Sequence, residues 1–245
     1  MQAFVGTSGW AYRHWQGRFY PAHLPVSQWL SFYAQHFSTV EINASFYGLP
    51  RRATFAGWAA QVPAGFRFAV KANRFITHQK KLVAPGQTLP PFLAAIAGLD
   101  GHLGPLLFQL PPRFAPRLER LSYFLEALPA GLAVAFEFRD PRWHTREIID
   151  LLAAHGAAFC VYDLAGYTSP RLITSNFAYV RLHGPGAAYR GRYGRARLTP
   201  WADWLGEAAP QYAYVYFDND EAAYAVEDAL LFAELLGGDA VCRPR

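Results

Sequence analysis

Hydrophobic positions along this chain change their spacing repeatedly, from short continuous or alternating runs to longer stretches with a helical period. The short runs predict strands, and the longer stretches between them predict helices. The predicted strands are Ala3–Val5, Thr39–Asn43, Phe66–Lys71, Pro105–Leu110, Ala133–Phe138, Ala158–Asp163, Ala178–His183 and Tyr212–Phe217. The predicted helices are Ser27–Phe37, Ala53–Gln61, Pro91–Ala97, Pro116–Ala127, Thr145–His155, Pro200–Ala209 and Ala222–Leu236. This alternation is typical of βα units that build a parallel sheet.

The number of strands indicates the architecture. Eight strands are predicted, and only the connection after the sixth lacks a clear helix. Eight is the number of strands that closes a parallel barrel, and such a barrel typically needs roughly 250 residues. The chain has 245 residues and no Gly/Ser-rich linker that would divide it. We therefore predict an α/β fold with one domain over residues 1–245, a (β/α)8 TIM-type barrel, with an open doubly wound sheet as the alternative.

The alternation of side chains along the predicted strands places polar groups on one face. In TVEIN, Glu41 and Asn43 lie opposite Val40 and Ile42, because successive residues of a strand point to opposite sides. The same alternation puts these residues on the polar face: Lys71, Gln109, Glu137, Arg139, Arg181 and His183. The apolar face would meet the helices. Since the other face turns polar near the C-terminal end of each strand, we predict the pocket of the barrel at that end.

Composition and charge narrow the class of protein. The net charge of +5 is small for a nucleic-acid-binding protein, so such a role would need a local basic cluster. No run is long enough to span a membrane, and MQAFVGTSGW lacks the basic region and apolar core of a signal peptide. We therefore expect a cytoplasmic protein without a membrane partner. Cys160 and Cys242 have neither metal-type nor disulfide spacing, and we expect Cys160 to be a buried, inert thiol.

Seven segments of unusual composition resemble a known family. They are GTSGWAYRHWQGRFYP, TVEINASFYGLP, FAVKANRFITH, LLFQLPPRF, AFEFRDPRW, YVRLHG and VYFDND, in order from Gly6 to Asp220. They resemble the signature blocks of the YecE-like family, a domain of unknown function with a TIM-barrel fold. The resemblance implies a barrel with a pocket at the strand ends, and it implies no established reaction or cofactor. The chain departs from the expected pattern at Asp218 and Asp228, where asparagine would be usual.

The leading hypothesis is an enzyme that uses general acid–base chemistry on a small anionic or polyhydroxylated substrate. Glu41 and Glu137 are its acid and base candidates, because carboxylates in different environments can have separated pKa values. They can instead simply neutralise cations, since Arg139 lies two residues from Glu137 on the same face. Lys71 is a candidate fixed charge, base or Schiff-base nucleophile. His183 completes the catalytic candidates as a proton carrier.

Other polar residues at the strand ends are candidates for binding the substrate. Arginine side chains bind carboxylate or phosphate groups through two parallel hydrogen bonds, and amides orient a ligand. The substrate-binding candidates are Asn43, Gln109, Arg139, Asp163, Arg181, Asp218 and Asn219.

Two alternatives stay open. In the first, Glu41, Glu137, Asp163 and His183 hold a divalent metal, since carboxylates and imidazole suit such an ion. No HxH or HExxH spacing supports this metal site. Apart from this possible metal ion, no cofactor is expected. In the second, the chain is a nucleic-acid-binding module. Its contacts would come from residues 189–198, YRGRYGRARL, which interleave arginine with tyrosine, and from the aromatic first loop.

Overall fold

The barrel strands alternate with helices along the chain, as the hydrophobic pattern predicts. The computed structural model describes residues 1–237. Its strands are β1 (Gln2–Thr7), β2 (Thr39–Ile42), β3 (Arg67–Lys71), β4 (Leu103–Leu110), β5 (Val134–Phe138), β6 (Ala158–Leu164), β7 (Tyr167–Thr168), β8 (Phe177–Leu182) and β9 (Tyr212–Phe217). The helices are α1 (Trp29–Tyr33), α2 (Ala44–Tyr47), α3 (Arg52–Ala59), α4 (Pro85–Ile96), α5 (Leu118–Glu126), α6 (Arg146–Ala154), α7 (Gly194–Ala208) and α8 (Tyr224–Leu235).

Eight of these strands form a nearly closed parallel barrel. Their order around it is β1-β9-β8-β6-β5-β4-β3-β2, while the short β7 pairs antiparallel with β6. β1 and β2 stand at the two ends of this order, and one parallel bridge, between Ser8 and Glu41, joins them. The predicted α/β barrel is confirmed, including the absence of a helix between β6 and β8. Within residues 1–237, no helix combines the length and the apolar character needed to cross a membrane.

The helix boundaries differ from the prediction at one place that bears on the site. The predicted start of the seventh helix was Pro200, whereas α7 begins at Gly194. The carboxylate of Asp228 accepts hydrogen bonds from the backbone N–H groups of Tyr193 (2.8 Å) and Gly194 (3.0 Å). These are donors that a helix N-terminus leaves without a partner, so Asp228 fixes the start of α7. Residues 194–198 are therefore helical, and the predicted loop 189–198 is wrong over its second half.

Two hydrophobic cores confirm the predicted alternation of side chains. The core between the barrel and the helices holds Val40, Ile42, Phe68, Val70, Phe108, Phe136, Val180 and Leu182. The core inside the barrel holds Phe4, Ala69, Leu107, Ala135, Cys160, Tyr179, Tyr214 and Tyr216. Adjacent residues thus point to opposite sides of the sheet. Cys160 is buried and free, as expected, whereas Cys242 lies outside the described residues.

The seam between β1 and β2 depends on a glycine. A Cβ atom on Gly6 would lie 2.2 Å from the backbone oxygen of Thr39 and 2.9 Å from the Tyr33 hydroxyl oxygen. That hydroxyl donates to the Thr39 oxygen (3.1 Å) and accepts from the Thr7 N–H (2.9 Å), so it joins the two strands. Only a residue without a side chain allows this approach.

Gly6→Ala should therefore destabilise the barrel by about 1–3 kcal/mol, the usual cost of overpacking a core. Chemical denaturation gives this difference in unfolding free energy. The matched control is Gly57→Ala in α3, where an added Cβ would meet nothing within 4 Å. This control should be neutral or stabilise by up to about 1 kcal/mol, because alanine favours helix. Equal stabilities of the two variants would show that the seam does not need Gly6.

Candidate functional site

A buried arginine joins three strands inside the C-terminal end of the barrel. Arg181, on β8, is 1% exposed. Its Nε and Nη2 donate to Oε1 (2.9 Å) and Oε2 (2.6 Å) of Glu41, on β2. Its Nη1 donates to Oε2 of Glu137 (2.8 Å), on β5. A single guanidinium therefore pairs with two carboxylates that the sequence places 96 positions apart.

Both carboxylates have further donors. Ser8 Oγ and the Tyr179 hydroxyl (2.8 Å) donate to Glu41. Arg139 Nε donates to Glu137, and the Cys160 thiol lies 3.8 Å from the other oxygen of Glu137.

The surrounding cations keep Glu137 ionised. Burial alone would raise its pKa, but Arg139 and Arg181 outweigh burial and hold the pKa well below its usual value. Glu137 is accordingly a fixed negative charge, because protonation at neutral pH would weaken its contacts with Arg139 and Arg181. This environment favours the neutralising role that the sequence offered as the alternative.

His183 is held as a neutral imidazole. Its Nδ1 lies 2.9 Å from Oδ2 of Asp218, which can only accept. Its Nε2 faces Nη2 of Arg139 (2.9 Å) and Nη1 of Arg181 (3.3 Å), which can only donate. These partners assign the proton to Nδ1 and leave Nε2 as the acceptor. Burial and the Arg181 charge lower the pKa of His183 and favour the same neutral form.

Asp218 is the carboxylate that departs from the family pattern, and it lies in this cluster. In addition to the contact with His183, its Oδ2 is 3.7 Å from Arg181 Nη2. Burial alone would raise the pKa of Asp218, but the hydrogen bond from His183 and the nearby positive charges lower it. Asp218 therefore carries a negative charge that orients His183.

Lys71 is the cation of the cluster without a carboxylate partner. Its side chain is half-buried at the end of β3, and no carboxylate of residues 1–237 forms an ion pair with it. The ammonium nitrogen lies 4.3 Å from the centroid of the Phe46 ring. Burial, with a contribution from Arg181, lowers the pKa of Lys71 to about 8, although Glu137 and Glu41 oppose this shift. The pKa of Lys71 is therefore closer to neutral pH than that of an ordinary lysine.

A cavity of about 410 Å³ opens beside the cluster. Its lining comes from the C-terminal ends of β4, β5 and β6 and from the segment after β8. The lining residues are Gln109, Pro112, Arg139, Pro141, Tyr162, Leu164, Tyr167 and Tyr189. Arg139 links the cavity to the cluster, because the same guanidinium contacts Glu137 and His183.

Two of the predicted site residues point away from the cluster. Asp163 alternates with the inward-facing Tyr162, and its carboxylate accepts from the hydroxyls of Tyr193 (2.7 Å) and Thr168 (3.3 Å). Asn219 is fully buried, and its Nδ2 donates to Gly191 O and to Asp228 (both 2.8 Å). Both residues anchor the segment between β8 and α7.

Asn43 lies at the mouth of the barrel, directly after β2. Its side-chain oxygen is buried and has no hydrogen-bond partner among residues 1–237. The predicted residues Glu41, Glu137, Arg139, Arg181, His183 and Asp218 thus form one connected network, while Lys71, Asn43 and Gln109 occupy its surroundings.

The geometry differs from the one that a metal site formed by Glu41, Glu137, Asp163 and His183 requires. Within the described residues, no three His, Cys, Asp or Glu side chains converge as ligands of a metal ion. The guanidinium of Arg181 lies between Glu41 and Glu137, and Asp163 is elsewhere.

Three of the four arginines of the segment 189–198 have acidic partners. Arg190, Arg192 and Arg195 pair with Glu221 (4.0 Å), Glu227 (3.2 Å) and Glu234 (2.6 Å), respectively. These pairs reduce the local excess of positive charge on which a nucleic-acid interface would depend.

Several residues of the site escaped the sequence reasoning. Tyr179 and Tyr162 lie on the inward face of β8 and β6, and the alternation applied to those strands would have found them. Ser8 and Asp228 gave weaker signals: Ser8 lies in the segment GTSGW that carries the resemblance, and Asp228 stands where asparagine was expected. Tyr189 was noted only as part of the Arg/Tyr-rich segment, because its position depends on how the segment after β8 folds over His183, with ring centroids 5.6 Å apart.

Comparison with known proteins agrees with this architecture. Residues 4–244 match the family model described as "Protein of unknown function DUF72". The UPF0759 protein YecE of Escherichia coli (strain K12) is 31% identical over 144 residues, or 58% of this chain and 50% of YecE, so the match spans about half of that relative. The UPF0759 protein YunF of Bacillus subtilis (strain 168) is 25% identical over 95% of this chain and 94% of its own.

A solved structure extends the likeness to three dimensions. The crystal structure of a DUF72 family protein (TM1631) from Thermotoga maritima MSB8 superimposes with a TM-score of 0.87 and 29% identity, covering 96% of this chain and 99% of that one. The resemblance to the YecE-like family is thereby confirmed. This chain belongs to the DUF72 family, whose members YecE and YunF carry the UPF0759 designation.

Proposed function

We propose that this chain is an enzyme that moves a proton on a small anionic or polyhydroxylated substrate bound at the C-terminal mouth of the barrel. One observation carries the proposal. Lys71 is the half-buried cation without a carboxylate partner in residues 1–237, and its pKa lies at about 8, where a side chain can both accept and donate a proton. The charged groups beneath it, three carboxylates and two arginines, leave one negative charge that the Lys71 ammonium balances.

The buried network supplies the environment for this chemistry. Arg181, Glu41 and Glu137 fix the charges below the mouth, so that the field at Lys71 changes little when a substrate enters. His183, kept neutral by burial and the Arg181 charge and oriented by Asp218, holds Arg139 in place and is a positioning residue. Glu41 and Glu137 serve as fixed charges in this scheme, because their oxygens are occupied by donors. This arrangement supports acid–base chemistry more directly than a metal held by the two carboxylates.

The proposal predicts proton exchange that depends on Lys71. Wild-type protein is incubated in D₂O with a panel of 2-oxo acids, ketoses and ketose phosphates, and NMR follows the loss of C–H signals next to the carbonyl. The rate should rise with pH and level off above about 8, as the neutral amine forms. Lys71→Arg keeps the positive charge but cannot deprotonate, so exchange should fall at least about 100-fold, the lower range for a general base.

Lys80→Arg is the matched control, because Lys80 is exposed and lies outside the cluster. This control should exchange at the wild-type rate. Exchange that persists in Lys71→Arg, or a panel without any exchanging member, would contradict the proposal.

Borohydride trapping with the same carbonyl compounds distinguishes a Schiff base on Lys71 from proton transfer alone. A stoichiometric metal in the purified protein, lost in His183→Ala, would favour the metal-dependent alternative.

A further inference from the structure

Two polar side chains face the cavity of about 410 Å³ with unused hydrogen-bonding capacity. Arg139 has five N–H groups. Its Nε is used by Glu137 and one N–H of Nη2 by His183, and no other residue of 1–237 accepts from the remaining three. Gln109 lines the same cavity, is 9% exposed, and forms no side-chain hydrogen bond to a described residue. Both side chains therefore have hydrogen-bonding groups that a ligand in the cavity can use.

The three tyrosines give the cavity flat apolar walls. Tyr162 is fixed by donating to the backbone oxygen of Phe138 (3.1 Å), and its ring lies 4.9 Å from the Arg139 guanidinium. Tyr167 and Tyr189 close the outer side and are 40% and 50% exposed. Tyrosine rings at the mouth of a cavity stack on planar or sugar rings while their hydroxyls stay in water. The ligand therefore has a ring as well as an acceptor group.

The charge of the residues that line the cavity indicates which kind of acceptor group the ligand carries. None of the residues that line the cavity is acidic, and Arg139 supplies its one cation. A guanidinium binds a planar carboxylate through two parallel hydrogen bonds, and Arg139 has three N–H groups left for such a ligand. A phosphate ester would bring about two negative charges, and the lining residues include no second cation to balance them.

We infer that this cavity binds the carboxylate of a ring-bearing substrate, with Arg139 and Gln109 as its donors and Tyr162, Tyr167 and Tyr189 as its walls. The inference rests on the proposed function, because it names the substrate class for the same site. It places the carboxylate beside β4 and β5, one strand from Lys71 on β3. The reacting carbon would thus lie between the anchored carboxylate and the ammonium group.

The test uses 4-fluorobenzoate, with 4-fluorobenzyl alcohol as the neutral probe and 4-fluorophenyl phosphate as the dianionic one. Titration followed by ¹⁹F NMR should show saturable binding of the benzoate and at least roughly tenfold weaker binding of the other two. Gln109→Met should weaken benzoate binding roughly tenfold, because the variant removes one hydrogen bond to a charged group. Gln109 contacts no other polar side chain, so this change leaves the charge network intact. Gln35→Met, at an exposed position after α1, is the matched control and should bind as the wild type does.

Each other outcome overturns the inference. Equal binding of the alcohol would mean a neutral acceptor, tighter binding of the phosphate would mean a phosphorylated ligand, and unchanged affinity in Gln109→Met would place the benzoate elsewhere. Lys71→Arg separates this inference from the proposed function. That variant should bind 4-fluorobenzoate normally even though it loses proton exchange. Lys71-dependent exchange together with absent benzoate binding would disprove the carboxylate site alone.

Discussion

Arg181→Met should destabilise the barrel by about 3–5 kcal/mol, the usual cost of leaving a buried charge without its partner. The substitution removes the guanidinium that donates to both Glu41 and Glu137, whose side chains are fully buried. Because a domain of this kind is stable by only about 5–15 kcal/mol, the loss is a large fraction of the total. Urea denaturation at pH 7, compared with the wild type, measures it.

The pH dependence identifies the cause of this loss. Arg181 is one of the two arginines that hold the pKa of Glu137 below its usual value, so its loss makes the ionised Glu137 less stable in the folded protein at neutral pH. The penalty at Glu137 shrinks as the pH falls and this group takes up a proton. Arg195→Met, which breaks an exposed pair with Glu234, should cost less than about 1 kcal/mol. A small effect of Arg181→Met at pH 7, similar to that of Arg195→Met, would mean that the buried network adds little to stability.

Glu137→Gln should cost about 3 kcal/mol at neutral pH, because an amide cannot accept from Arg139 and Arg181 with both of its heavy atoms. The pKa of Glu137 is lower in the folded protein than in the unfolded chain. Its stabilisation is therefore fully present above the unfolded pKa and is lost as the pH falls towards the folded one. The wild type should lose stability below about pH 4.5 more steeply than the variant does.

Urea denaturation at several pH values between 7 and 3 tests this expectation. Glu126→Gln is the control, since Glu126 is exposed and accepts a hydrogen bond from Ser122 of the same helix. A constant difference between wild type and Glu137→Gln over the whole range would show that the Glu137 pKa is not lowered. Such a result would remove the fixed charge from the proposed scheme.

The sequence was sufficient for the fold and for most of the inward-facing polar residues. Alternation along β2, β5 and β8 placed Glu41, Glu137 and Arg181 on one face, and these side chains do meet inside the barrel. Their mutual contact was not predictable, because it depends on how the strands are staggered around the barrel. That stagger also decides whether Arg181 is free to bind a ligand or pairs with the two carboxylates.

The remaining errors have similar physical causes. Asp163 was assigned to the pocket although it shares the outward face of β6 with Val161, which packs in the outer core. The segment 189–198 looked like an unpaired basic loop, but its partners Glu221, Glu227 and Glu234 come from a part of the chain about 30 residues or more away. Side chains that meet through tertiary structure leave no local pattern in the sequence.

The pKa of Lys71 is the most direct measurement for the proposed function. The chain has only three lysines, Lys71, Lys80 and Lys81, so protein labelled with ¹³Cε-lysine gives three lysine signals. Lys71→Arg identifies which of them belongs to Lys71. We expect this signal to titrate at about 8, below the ordinary lysine value near 10.4. Titration of the Lys71 signal near 10.4 would show that Lys71 is an ordinary charged lysine, and the proposed proton transfer would lose its basis.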